Sequence, residues 1–74
     1  MEIFDAGEAM FILNLRPSKL AEVIDEIGFI ESEQGPMFTW NNLERYISES
    51  EGVSIQEAQR YIAEKVLEIE QMLV

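Results

Sequence analysis

Residues 53–74 read VSIQEAQRYIAEKVLEIEQMLV, and their periodicity decides the fold class. Ser54 followed three residues later by Glu57 is a capping-box signature: the hydroxyl accepts a first-turn backbone N–H while the carboxylate reaches back to the cap. Val53 before the cap and Ala58 inside it stand where a hydrophobic staple belongs. Beyond them Ile55, Ala58, Tyr61, Ile62, Val66, Ile69, Met72 and Leu73 recur at helical spacing, which gives one broad apolar face. No glycine or proline interrupts the stretch. At about 1.5 Å per residue such a helix spans roughly 30 Å, the width of a small domain, so the rest of the chain is expected to pack along it.

Upstream of this helix the elements are shorter. Leu43, Tyr46 and Ile47 share the inner face of a third helix that ends near Ser50 with Gly52 as its stop, and Thr39, Asn41 or Asn42 supplies its cap. Before it, Phe29-Ile30-Glu31-Ser32 and Met37-Phe38-Thr39-Trp40 flank a turn-like Glu33-Gln34-Gly35-Pro36, the pattern of a β-hairpin, with an ordered loop as the competing reading. Pro17 opens a second helix whose inner face is Leu20, Val23, Ile24 and Ile27 and whose end is Gly28. Asp5 and Glu8 make another capping-box pair, and the apolar run Ala9–Leu13 continues as a short helix to about Leu15, although a buried strand has the same signature. Ile3 and Phe4 precede that cap, where chain ends are seldom well covered, and are expected to be exposed. Residues 1–74 therefore read as a single acidic helical domain, mainly α, with four helices and a hairpin between helices 2 and 3. A hairpin ahead of a helix–turn–helix resembles the winged-helix domains in topology, and that resemblance implies DNA binding.

Seventy-four residues bury on the order of 7,700 Å² on folding, enough for a marginal core. Fifteen acids against five bases give a net charge of −10, which repels phosphate backbones and anionic membranes and favours basic protein surfaces. The chain has no histidine and no cysteine. Without them general-base catalysis near neutral pH, thiol nucleophiles, disulfides and most metal sites are not expected, and neither a cofactor nor an enzymatic function is assigned. A calcium-loop reading of Ser48–Gly52 fails on spacing, because Ala58 falls where the bidentate glutamate belongs. No apolar run is long enough to span a bilayer and the first residues lack a basic secretion signal, so a cytoplasmic location is expected.

The acids fall where helix electrostatics disfavours them. Asp25 and Glu26 lie in the last turn of the second helix, Glu49 and Glu51 at the end of the third, and Glu68 and Glu70 near the end of the fourth. Each faces the negative end of a helix dipole, costing about 0.3–1 kcal/mol at an exposed position in low salt. Glu22 with Glu26, and Glu64 with Glu68, add like-charged pairs one turn apart. On the last helix Glu57, Arg60, Glu64, Glu68 and Gln71 form a polar stripe in which Arg60 and Glu64 are placed to pair. The leading functional expectation is a small regulator or inhibitor presenting Glu22, Asp25, Glu26, Glu49, Glu51, Glu57, Glu64 and Glu68 to a basic, nucleic-acid-handling partner. In size and charge the chain is similar to phage-encoded inhibitors of host or CRISPR machinery, some of which imitate DNA. Spacing limits the imitation: duplex DNA carries a charge every ~1.7 Å of axis, whereas carboxylates one helical turn apart are ~6 Å apart. Two further readings compete. One is a winged-helix-like transcriptional regulator reading DNA through Gln56, Gln59 and Arg60 at the start of the last helix. The other is a homodimeric structural subunit paired through Ile62, Val66, Ile69 and Leu73.

Overall fold

The computed structural model describes residues 2–72, which form four helices and a small antiparallel sheet. In chain order these are β1 (Ile3–Phe4), α1 (Ala6–Leu13), α2 (Pro17–Ile27), β2 (Ile30–Ser32), β3 (Gly35–Thr39), α3 (Trp40–Glu51) and α4 (Ile55–Met72). The mainly helical class read from the sequence, with four helices and a hairpin between helices 2 and 3, is the class observed. Leu73, expected on the apolar face and in a self-pairing seam, lies outside the described residues.

Local chemistry accounts for most boundaries. Asp5 accepts the Glu8 N–H at 2.8 Å while Glu8 Oε1 accepts the Asp5 N–H at 2.9 Å, so the capping box is complete and the apolar run 9–13 is helix rather than strand. That helix stops at Leu13, two residues sooner than expected, because Asn14 takes a left-handed conformation (φ 55°, ψ 49°). Thr39 is the cap of α3; its hydroxyl accepts the Asn42 N–H at 3.1 Å, and Asn42 Oδ1 accepts the Thr39 N–H at 3.0 Å. Ser54 accepts the Glu57 N–H at 3.1 Å, which is one half of the expected box at the start of α4.

Gly28 ends α2 with φ 85° and ψ 142°, a positive φ that suits glycine but not the helical left-handed geometry of a common C-cap. A second constraint acts there: an added Cβ would lie 3.0 Å from Asn42 Nδ2 and 3.2 Å from Arg45 Nη2. The absent side chain lets α3 approach the end of α2, and Arg45 Nη2 donates to the Ile27 carbonyl at 2.8 Å. The hairpin turn is shorter than read from the sequence. Glu33 and Gln34 alone form it, and Gly35 (φ 101°) and Pro36 already belong to β3. The Ser32 hydroxyl closes the turn, donating to the Gly35 carbonyl at 2.8 Å and accepting the Gln34 N–H at 3.2 Å.

The sheet order is β1-β3-β2, with Phe4 opposite Phe38 and Ile30 opposite Met37. Strand β1 corrects the expectation for the chain start. Phe4 is fully buried, because pairing with β3 turns its ring into the core and against Trp40 at a centroid distance of 6.1 Å, whereas Ile3 faces out. Phe38 is also fully buried and meets Phe29 at 6.5 Å. These aromatics fill the space between sheet and helices.

One cluster of buried side chains draws on every helix: Ala9 and Ile12, Leu20, Val23 and Ile27, Leu43 and Ile47, then Ala58, Ile62, Val66 and Ile69. The radius of gyration, 11.7 Å, is close to the roughly 11.3 Å of a compactly folded chain of this length. Ile62, Val66 and Ile69, read as a self-pairing seam, are buried in this core. Ile55 and Met72, read as inward, are exposed at the two ends of α4.

The sheet also places the winged-helix resemblance differently from the sequence reading. Strand β1 leads into α1, β2 leaves α2, and β3 joins the two, so the sheet closes around the α1–turn–α2 pair. The hairpin belongs to that pair rather than to α3–α4.

Candidate functional site: an acid-rimmed groove

Where α1 ends and α3 turns into α4, three helix ends enclose a groove of about 520 Å³. Leu13 and Leu15 form one wall, held by the Leu15 N–H donating to the Met10 carbonyl at 2.9 Å around left-handed Asn14. Tyr46, Ile47, Ser50 and Glu51 of α3 form the second, and Val53, Glu57 and Tyr61 the third. The Ser48 hydroxyl donates to the Val53 carbonyl at 2.7 Å and so holds the α3–α4 turn against the end of α3. With Gly52 ending α3 and Ser54 capping α4, Glu51 and Glu57 stand on either side of this turn. The lining is mainly aliphatic and aromatic, and the carboxylates sit on its edge.

A smaller depression of about 210 Å³ adjoins the groove and shares Tyr46 and Ser50 with it; its other lining residues are Glu26 and Glu49. Four acids from three helices therefore surround the Tyr46–Ser50 ridge: Glu26 of α2, Glu49 and Glu51 of α3, and Glu57 of α4. No lysine or arginine lines either depression. α3 has no base in its last turn, so its carbonyl end adds to the same negative field, whereas the Arg45 guanidinium covers the carbonyl end of α2.

None of the five bases lines either depression, although Lys65 lies against the Tyr61 wall. Lys19 pairs with Glu22 at 3.8 Å, and Arg45 is bound to the end of α2. Lys65 pairs with Glu68 at 3.6 Å and lies 5.1 Å from the Phe11 ring and 5.7 Å from the Tyr61 ring, bridging α4 to α1. Among the described residues those two are the ion pairs; the Arg60–Glu64 pair expected from spacing does not form.

All eight acids proposed from the sequence are exposed, and the fold sorts them into groups. Glu26, Glu49, Glu51 and Glu57 meet around the groove. Glu64 and Glu68 continue the Glu57–Tyr61 line along α4, at the helical spacings that share one face. Glu22 lies one turn before Glu26, beside Lys19, while Asp25 is on α2 without lining either depression. Gln56, Gln59 and Arg60 are exposed on α4 outside the groove lining. Sequence reasoning missed the groove itself. Tyr46 and Tyr61 were placed in the core on their spacing, yet both stay partly exposed as its walls. Their amphipathic rings at the edge of an apolar helix face were the available signal.

Among the described residues no group of three or more acids, histidines or cysteines is arranged to hold a metal ion, and no helix is long and apolar enough to cross a membrane. No family model matches the chain, and no curated protein or solved structure matches it.

Proposed function

We propose that this chain is a small protein-binding regulator that presents carboxylates to a basic, nucleic-acid-handling partner. The observation that supports this reading is the convergence of Glu26, Glu49, Glu51 and Glu57 from three helices around the Tyr46–Ser50 ridge, with no base among the lining residues. Partner selection by charge gains most in association rate and in rejection of wrong partners, and it weakens as salt rises. An inhibitor version, in which a phage-encoded chain blocks the nucleic-acid groove of a host or CRISPR enzyme, draws its support from size and charge alone. Affinity capture from host lysate, washed at low and then high salt, tests the proposal. A basic protein retained at low salt, released at high salt and lost when the four glutamates become glutamine is the expected result. Retention of nothing beyond what that quadruple variant retains would sink it.

The sheet order favours a second reading. The strand–helix–turn–helix–hairpin order around α1 and α2 makes α2, rather than α4, the helix placed to read DNA in a winged-helix-like domain. Arg16, Ser18 and Lys19 are exposed at its start, whereas Glu22, Asp25 and Glu26 on the same helix oppose phosphate. Nucleic acid recovered without a protein partner, and lost with Arg16→Ala and Lys19→Ala, would promote this reading over the first.

A further inference from the structure

We infer that the groove bounded by Leu13, Leu15, Tyr46, Val53 and Tyr61 binds a basic amphipathic helix of a partner protein, one large apolar side chain entering the groove and lysines or arginines meeting its acidic rim. This inference rests on the protein-binding reading above and specifies its site and the chemistry of its occupant.

Three observations select that occupant. The walls are ends of helices α1, α3 and α4, and no strand lines the groove, so an extended peptide finds no sheet edge to pair with there. An amphipathic helix inserting anchors from one face is a recognition mode that an apolar groove between helix ends admits. The volume, about 520 Å³, falls within the range of sites that enclose a small ligand and is too small to engulf a whole helix, so insertion is limited to an anchor side chain and its immediate neighbours. Charge decides the rest. Glu51 and Glu57 edge the groove, Glu26 and Glu49 edge the adjoining depression, and the carbonyl end of α3 points into the same region. A helix with bases on both sides of its anchor meets carboxylates on both sides of the Tyr46–Ser50 ridge. A second copy of this chain is a poor match, because fifteen acids against five bases leave it few cations to offer. Nucleic acid is repelled for the same reason.

The test uses the full chain and a dye-labelled synthetic peptide of about four helical turns, with leucine and tryptophan along one face and lysine on the other. Fluorescence anisotropy reads the affinity, and amide chemical shifts read the site. The expected result is salt-sensitive binding, weakened about tenfold or more in the Glu51→Lys/Glu57→Lys double variant, with shifts concentrated at Leu13, Tyr46, Val53 and Tyr61. Both glutamates are exposed and hold no other side chain, so the variant keeps its fold, which far-UV circular dichroism checks. Binding that survives in this variant but is lost in Glu64→Gln/Glu68→Gln would overturn the groove while leaving the carboxylate-presenting reading intact. Equal binding of a peptide with glutamine in place of lysine would overturn the basic occupant. Absence of peptide binding at low salt would overturn the groove as well, and the lysate capture would then decide separately whether the broader reading stands.

Discussion

The α3–α4 pair packs along its own length, through Leu43 and Ile47 against Ala58 and Ile62, and its turn is clamped by Ser48 on Val53. The α1–α2 pair is built differently: α1 rests on α4 and β3, α2 rests on α3, and the two helices barely touch each other. Two helix–turn–helix units are thus stabilised in unlike ways, one by its own interface and one by its neighbours. The candidate groove lies where the dependent pair meets the self-contained one, with Leu13 and Leu15 supplied by the first and the rest by the second. Anything that loosens α1 therefore opens the groove, although the acids lining it, Glu51 and Glu57, belong to α3 and α4.

Substitutions can break or sharpen this contrast. The largest effect is expected from Phe38→Ala, which empties a fully buried position between the sheet and the helices. A loss of about 3–5 kcal/mol is expected, a large part of the roughly 4–11 kcal/mol available to a domain of this size, and urea denaturation reads it. Because Phe38 serves both pairs, a single transition is expected; a biphasic one would mean that α3–α4 folds alone. Gly28→Ala comes next, at about 1–3 kcal/mol, since a positive φ and contacts with Asn42 and Arg45 both oppose a Cβ. Amide exchange should accelerate in α2 well before α3 or α4, and uniform acceleration would remove the contrast.

Arg45→Met keeps much of the side-chain stem but removes the bond to the Ile27 carbonyl, at an expected cost of about 1–2 kcal/mol, with fraying confined to the end of α2. Thr39→Ala should cost about 1 kcal/mol and Ser54→Ala about half of that, because the first box is reciprocal and the second one-sided. Equal melting-temperature losses would show that reciprocity contributes nothing at these caps. The smallest effect carries an unusual sign. Glu51→Lys places a base at the carbonyl end of α3 and should stabilise the chain by about 0.3–1 kcal/mol while weakening capture of a basic partner. A stabilised variant that still binds would separate the misplaced charge from function.

The elements set by short-range chemistry were legible residue by residue. Asp5 and Glu8, Thr39, Ser54, Pro17, Gly28 and Gly52 mark helix ends through bonds that span at most five residues, so the chain itself contains the partners. Errors fell where the deciding partner is distant. Phe4 reads as a loose end until β3 pairs with β1, thirty-odd positions later in the chain. Ile55 and Met72 match the helical period of α4 but are exposed at its two ends, and periodicity carries no information about where a neighbour covers a helix face. The candidate site was half legible for the same reason. That Glu26, Glu49, Glu51 and Glu57 are surface acids follows from their spacing; that they line two adjoining depressions depends on how α2, α3 and α4 meet.

By itself the amino-acid sequence determined the helical class, the positions of the last three helices, the acidic surface and most of the core, because capping and the 3.6-residue period act over one or two turns; it left the first element open between helix and strand and the hairpin open against an ordered loop. Only the tertiary structure decided the third strand, the pairing of the hairpin with α1–α2, the burial of Ile62, Val66 and Ile69 within a single chain, and the groove at the junction of the two helix pairs. Those features are set by contacts between residues far apart in the chain, where burial of apolar surface selects among arrangements that local patterns leave equally open.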